Sequence, residues 1–193
     1  MVVIANHPFG GADALAVAAL ATRARSNVRI LANRELLALP GVESYLLPLE
    51  ILGDEQGQRR NLGVLREGLA HLRDGGCLLA FPAGAVAHWQ WEQARVADPP
   101  WPGHIARMVA RADASVVPVG VTGRNGALFH LLGAIHPFVR SALLPRAFLA
   151  MRGRTVTCRA GDLIAATALP SGYGESTQIL RRAVETVLSD PGN

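Results

Sequence analysis

An α/β fold, with a mostly parallel central sheet covered by helices on both faces, is predicted from three observations. Short apolar runs alternate with stretches of helical periodicity along the whole chain. The runs are continuous, as in Cys77-Leu78-Leu79-Ala80-Phe81, which is how strands buried on both faces read. Three chemically distinctive turns each follow such a run directly, as expected at the carboxyl ends of parallel strands.

Taken in order, Val2 to Ala5 reads as a strand, and the Ala/Leu-rich, glycine-free stretch Asp13 to Arg25 as a helix whose N-terminus points back at the turn before it. A strand over 28–32 follows, then a short helix over Arg34 to Leu39 stopped by Pro40-Gly41, then a strand at Tyr45 to Leu49. Leu62, Leu65, Leu69 and Leu72 recur at helical spacing until Gly75-Gly76 ends the helix. After the strand Cys77 to Phe81, the segment holding Trp89, Trp91, Pro99, Pro100 and Trp101 reads as a loop. A helix over Gly103 to Ala112, a strand over Ser115 to Val121, a helical segment near Leu128 to Ile135, the stretch Pro137 to Met151, a strand over Thr155 to Arg159 and a helix from Glu175 to Leu188 complete the chain. No repeat or linker interrupts it, so residues 1–193 read as one domain, in accord with the length. The opening strand has only four residues and nothing upstream, which raises the expectation of a missing N-terminal segment.

Half the residues are apolar and 18% charged, which excludes a disordered chain. All 19 basic residues are arginine, and the net charge is +4. Guanidinium groups bind phosphate in a forked geometry, so this balance suits anionic ligands such as phosphopantetheine or lipid headgroups. No basic block is interleaved with aromatics, so no nucleic-acid partner is expected. Cys77 and Cys158 lie in apolar contexts without ligand spacing and read as buried thiols in a reducing cytoplasm, with no metal site. No signal peptide and no spanning apolar run are evident, which predicts a soluble or peripheral protein.

The chemistry concentrates in Asn6-His7-Pro8-Phe9-Gly10-Gly11-Ala12-Asp13. A histidine serves as general base near neutral pH, and a carboxylate beside it fixes its tautomer. This is a triad without its serine, suited to a substrate that brings its own hydroxyl. Phe81-Pro82-Ala83-Gly84 and Thr122-Gly123-Arg124-Asn125 are expected on the same rim of the sheet. Arg124 could pair with a phosphate or cap a helix C-terminus. His88, His104, His130 and His136 follow no ligand spacing and read as structural, and Trp89 and Trp91 suit either an acyl-facing surface or packing on the sheet edge. The segment Pro137 to Leu149 mixes large apolar groups with arginines, as a helix lying on an anionic bilayer would, although core packing gives the same pattern.

With these motifs in order, the chain resembles the glycerolipid acyltransferase superfamily, the lysophosphatidic acid acyltransferase-like proteins. Those carry Asn-His followed by Asp, then Phe-Pro-Glu-Gly-Thr, then an apolar strand with Val-Pro-Val; here the order is kept by Asn6-His7 with Asp13, Phe81-Pro82-Ala83-Gly84 and Val117-Pro118-Val119. It most resembles the hemolysin-like, ornithine-lipid-type subgroup, which shares Asn-His-Pro-x-Gly-Gly-x-Asp, Phe-Pro-Ala-Gly, Gly-Arg-Asn (Gly123 to Asn125) and Arg-Gly-Arg-Thr (Arg152 to Thr155). Two departures from the main superfamily stand out. The His-to-Asp spacing is one residue longer, as in the subgroup, and Ala83 stands where an acid associated with acceptor binding is usual.

The resemblance implies a glycerolipid acyltransferase-like fold and transfer of a fatty acyl group from an acyl-CoA or acyl carrier protein thioester to the hydroxyl of a lyso-lipid. His7 would be the base and Asp13 its orienting partner, with Asn6, Gly10, Gly11, Phe81, Pro82, Gly84 and Arg124 binding substrate and no bound cofactor. The missing acid makes glycerol phosphate a less expected acceptor than another lyso-lipid or an amine-bearing lipid. Backbone N–H groups of the Gly10-Gly11 turn or beside Gly84 are the oxyanion donors to choose between. Arg59 and Arg60 align loosely with a further family motif and read more simply as a solvated helix start. The expected location is cytoplasmic, peripheral to the inner membrane. Two other readings keep the same residues: a catalytically impaired lipid- or acyl-carrier-binding module, and a thioester hydrolase that activates water.

Overall fold

The computed structural model describes residues 1–38, 40–50, 55–127, 129–130 and 137–190. Its strands are β1 (Val2–Ala5), β2 (Val28–Asn33), β3 (Leu46–Leu49), β4 (Cys77–Ala80), β5 (His88–Gln90), β6 (Arg95–Ala97), β7 (Val116–Thr122) and β8 (Thr157–Ala160). Its principal helices are α1 (Gly11–Ala24), α2 (Glu55–Arg73), α3 (His104–Ala112), α4 (Pro137–Leu149) and α5 (Tyr173–Ser189). The main sheet has the order β3-β2-β4-β1-β7-β8; the first five strands run parallel and β8 closes the edge antiparallel to β7. The predicted class is the observed one.

Because successive residues of a strand face opposite sides, β1 divides its four buried residues between two cores. Val2 and Ile4 join Leu78, Val116, Leu47 and the inner faces of α2, α3 and α5. Val3 and Ala5 join Leu79, Val119, Val121 and the α1 residues Val17 and Ala21. Small side chains let α1 lie close to the sheet, and the opposite layer takes Ile105, Met108 and Val109 from α3 and Leu180 and Val184 from α5. Of the four leucines expected on the inner face of α2, Leu65, Leu69 and Leu72 meet the core, whereas Leu62 is 56% exposed. The helix turns Gly68 inward instead, where a Cβ would stand 3.0 Å from Met108 Cε and 3.3 Å from Leu47 Cδ1.

Three further expectations need adjusting. The segment after Phe81 is not all loop: β5 and β6 form an antiparallel hairpin. The turn at Arg34–Ala38 is a 3₁₀ helix, with Leu39 outside the described residues. Most of the expected helix near Leu128 to Ile135, and His136, also lie outside them, although 129 and 130 are helical.

The strand order does the work that places the site. β4, β1 and β7 are adjacent and parallel, so their carboxyl ends lie side by side at the centre of one rim. The chain leaves β1 for β2 on one side, and β7 lies on the other, so β1 stands where connections diverge; ligands of open α/β sheets bind at such points.

Candidate active site

Where β1 ends at Ala5, the side chain of Asn6 takes over from the backbone. Its Oδ1 accepts the Val121 N–H at 2.7 Å and its Nδ2 donates to the Val121 carbonyl at 2.9 Å. A carboxamide has the same donor and acceptor pair as a peptide unit, so Asn6 extends the β1 to β7 pairing by one step while the main chain is released into a turn. Asn6, placed among substrate-binding residues from sequence, therefore has its amide engaged by β7.

His7 follows, and both of its main-chain groups are held. Its N–H donates to Asp98 Oδ1 at 3.1 Å, and its carbonyl accepts the Ala87 N–H at 2.8 Å. The imidazole packs on Phe81 with ring centroids 4.3 Å apart, and its Nδ1 is 3.2 Å from Asp13 Oδ1. That approach is within hydrogen-bonding distance but bent, so the Nδ1 makes no aligned hydrogen bond. With Nδ1 turned to the carboxylate, Nε2 is the ring nitrogen directed away from it. The side chain is 17% exposed, enough to be reached.

Asp13 is fully buried, in the first turn of α1. Its Oδ2 accepts the N–H groups of Phe9 at 2.8 Å and Gly10 at 3.3 Å, and its Oδ1 accepts that of Ala14 at 2.8 Å. A carboxylate here meets the positive end of the helix and accepts the turn amides of Phe9 and Gly10, while the Ala14 N–H also lies 3.3 Å from the Gly10 carbonyl. The same bonds draw the turn into a closed loop, so the spacing from His7 to Asp13 is bridged by backbone and side chain together.

Two glycines make that loop feasible. Gly10 has φ +90° and ψ −109°, a conformation in which a Cβ is strained, and an added Cβ would stand 3.0 Å from Leu144 of α4. At Gly11 the Cβ would meet the Phe148 ring at 3.0 Å. Helix α4 thus lies directly over the turn. Gly10→Ala is expected to cost about 1–2 kcal/mol of stability from backbone strain alone; a thermal melt that matches the wild type would contradict this placement of the turn.

The third motif locks the turn from β7. Asn125, buried, donates through Nδ2 to the Pro8 carbonyl at 3.1 Å, and the Phe9 ring rests on Gly123, where φ is +124° and a Cβ would stand 2.4 Å from Phe9 Cζ. The second motif supplies Phe81 under the imidazole. Its Gly84 N–H returns to the Phe81 carbonyl at 3.0 Å, closing a turn with φ +66° at Gly84. The three motifs expected on one rim are in contact through named atoms.

The family model for acyltransferases matches residues 1–122, which hold β1, the turn, Asp13, the Phe81 to Gly84 block and β7. The chain belongs to the acyltransferase family. Among solved structures, the crystal structure of the 1-acyl-sn-glycerophosphate (LPA) acyltransferase PlsC from Thermotoga maritima is similar, with a TM-score of 0.58 and 17% identity over 96% of this chain. The chain spans 64% of the length of that structure. At this identity the likeness shows the fold alone: a mostly parallel sheet flanked by helices. Comparison with curated protein sequences gives no significant match.

For an acyltransferase the arrangement has a plain chemical capacity: an oriented base beside a helix N-terminus. Of the backbone donors weighed for an oxyanion, Gly84 N–H is taken up in its own turn and Gly10 N–H by Asp13. The first-turn amides of Gly11 and Ala12 have no intrahelical acceptor. Arg124 is exposed and lines a cleft of about 460 Å³ together with Arg95, Arg181, Trp89, Trp101 and Asp98. Pro82 is buried, as is Ala83 at the position of the usual acid.

The remaining sequence candidates have partners or surroundings of their own. Arg60 makes a forked pair with Glu50 at 2.6 and 2.7 Å, as a solvated helix start would. His88 Nδ1 lies 3.0 Å from the Val86 carbonyl. Burial pushes the imidazoles of His104 and His130 down and the thiols of Cys77 and Cys158 up. Trp91 is 78% exposed at the hairpin tip while Trp89 packs edge-on against it. No trio of His, Cys, Asp or Glu converges as a metal-donor set, and no helix is long and apolar enough to cross a membrane, among the described residues. Sequence reasoning missed Asp98 and the clamping role of Asn125, because contacts to residues about a hundred positions away carry no spacing signal.

Proposed function

We propose that the protein transfers a fatty acyl group from a thioester, acyl-CoA or an acyl carrier protein, to the hydroxyl of a lyso-lipid of phospholipid or ornithine-lipid type. The observation that carries this reading is the His7–Asp13 pair: an imidazole whose Nδ1 faces a buried, backbone-bonded carboxylate, in a family of acyltransferases. His7 Nε2 takes the proton of the acceptor hydroxyl as its oxygen attacks the thioester carbonyl carbon. The tetrahedral oxyanion lies against the first-turn amides of α1, such as Gly11 N–H, where each donor is worth about 3 kcal/mol. The carbon–sulfur bond then breaks, and the proton held on Nε2 passes to the departing thiolate, so that thiol and acylated lipid leave and the imidazole is restored. Asp13 stays ionised and keeps the imidazole oriented throughout.

Arg124, in a cleft that also holds Arg95 and Arg181, suits an anionic headgroup or a phosphate of the donor. Helix α4 supports contact with a bilayer surface. Leu144 and Phe148 reach down to Gly10 and Gly11, while Leu149 is 70% exposed beside Arg146 and Arg152. An apolar helix flanked by arginines over the catalytic turn gives an acyl chain a short path from the lipid phase to His7.

The test is release of free thiol from palmitoyl-coenzyme A and palmitoyl-acyl carrier protein, with and without lyso-ornithine lipid, lysophosphatidic acid and other lyso-lipids. Release that depends on an acceptor is the expected result. Release indifferent to acceptor would replace transfer by hydrolysis, and no release by folded protein would leave a binding module.

A further inference from the structure

Both main-chain groups of His7 are held by the segment that follows the Phe81 to Gly84 block. Ala87 N–H reaches the His7 carbonyl at 2.8 Å, and Asp98 Oδ1 accepts the His7 N–H at 3.1 Å. Asp98 is 8% exposed, and its second oxygen accepts the indole N–H of Trp101 at 3.2 Å. Its own carbonyl accepts Arg181 Nη2 at 3.2 Å, while Arg181 Nε pairs with Glu185 at 3.1 Å, so the residue is anchored to α5 as well. A carboxylate so placed is costly: burial pushes Asp98 up from the ordinary range, and an apolar side chain would fill the same space without that penalty. Its presence here needs a reason, and the geometry supplies one. The His7 main chain has left the sheet, and Asp98 provides the acceptor that a strand would have provided.

We propose that Asp98 is a positioning residue for acyl transfer: by accepting the His7 N–H and the Trp101 indole N–H together, it fixes the main chain from which the imidazole approaches substrate. The assignment rests on the acyl-transfer reading above. It differs from the role of Asp13, because Asp98 grips the backbone of His7 from the α3 and α5 side of the sheet while Asp13 faces the ring from the α1 side. The two carboxylates hold the residue at opposite ends. A small tilt of the backbone displaces Nε2 by a larger distance, and misplacement of reacting groups by about 1 Å costs on the order of 100-fold in rate.

Asparagine at position 98 has one acceptor oxygen for two N–H groups, and its own NH₂ must face one of them. Removing the indole N–H resolves that conflict, so the test is a cycle of D98N, W101F and the double variant. Expected for D98N is a kcat lower by about 10- to 100-fold, a larger change than any in KM for the acyl donor. In the W101F background the same change is expected to cost less than about threefold. A merely structural role would give equal losses in both backgrounds, or a loss that follows melting temperature and KM; either outcome overturns the proposal, as does wild-type kcat in D98N. Hydrogen exchange of the His7 amide supplies a readout independent of activity: D98A is expected to speed it at least about tenfold. Unchanged exchange overturns the clamp itself. Absence of transfer by the wild type would instead overturn the acyl-transfer reading, and the catalytic half of this assignment with it.

Discussion

Replacing His7 by alanine is expected to slow acceptor-dependent acyl transfer by about 10²- to 10⁴-fold, the range that a positioned general base supplies. Among the described residues no other imidazole is placed to substitute for it: His71 is engaged by the Asn27 carbonyl and His88 by the Val86 carbonyl, and His104 and His130 sit in surroundings that disfavour a proton. The loss should fall on kcat, because the ring acts on the hydroxyl proton and does not hold the donor. Stability should change little. The side chain is partly exposed, and its main contact is the tilted stack on Phe81, worth at most about 1.5 kcal/mol. Initial rates of thiol release, alongside a thermal melt, check both halves. A variant that keeps more than a tenth of wild-type activity would remove His7 from the base role.

Asp13 is expected to be the more damaging site overall, since one carboxylate serves both orientation and architecture. Asp13→Ala leaves the Phe9 and Gly10 N–H groups without their acceptor in a buried turn, while the Ala14 N–H keeps the Gly10 carbonyl at 3.3 Å. An unsatisfied buried donor costs about 1–3 kcal/mol, so for the two together a loss of about 2–4 kcal/mol is expected. In a chain of this size each kcal/mol lowers the melting temperature by about 2–4 °C. Asp13→Asn separates the two roles. It keeps an acceptor for part of the turn, and its melt should lie between those of the wild type and the alanine variant. It presents an amide of no charge to Nδ1, so its rate should still fall by about 10²- to 10⁴-fold. An asparagine variant with near wild-type rate would show that the carboxylate serves the fold alone.

How far the sequence anticipates this molecule depends on the range of the contact that decides each feature. Val2 to Ala5, Cys77 to Ala80 and Val116 to Val121 are continuous apolar runs bounded by turn residues, and their strands lie where periodicity puts them. The short hairpin β5–β6 was illegible for local reasons. Each strand has three residues, and its turn uses Ala94 at φ 48° where glycine or asparagine would have announced it. Leu62 follows the leucine spacing of α2 yet faces solvent, because the close approach of α2 to the sheet is made through Gly68, which carries no hydropathic signal.

The site divides in the same way. The residue types of the first motif and their spacing suggest a base and a carboxylate, and the strand order brings the three motif turns to one rim. The clamps that give the turn its shape were not legible. Asn6 to Val121, Asn125 to Pro8 and Asp98 to His7 join residues 115, 117 and 91 positions apart, and only the folded chain shows which side chains stand in for missing backbone partners. Arg124 lies at the rim as expected, in company with Arg95 and Arg181 that no motif singled out.

Whether an oriented His7 directs a lipid hydroxyl onto a thioester is decided by the fate of the acyl chain. The wild-type protein would be given radiolabelled palmitoyl-coenzyme A or palmitoyl-acyl carrier protein with a saturating lyso-lipid, and thiol, acylated lipid and free palmitate would be followed together. Thiol and acylated lipid are expected in equal amounts, and both are expected to vanish in His7→Ala. Palmitate accumulating in place of acylated lipid, or transfer that survives the loss of His7, would contradict this role of His7.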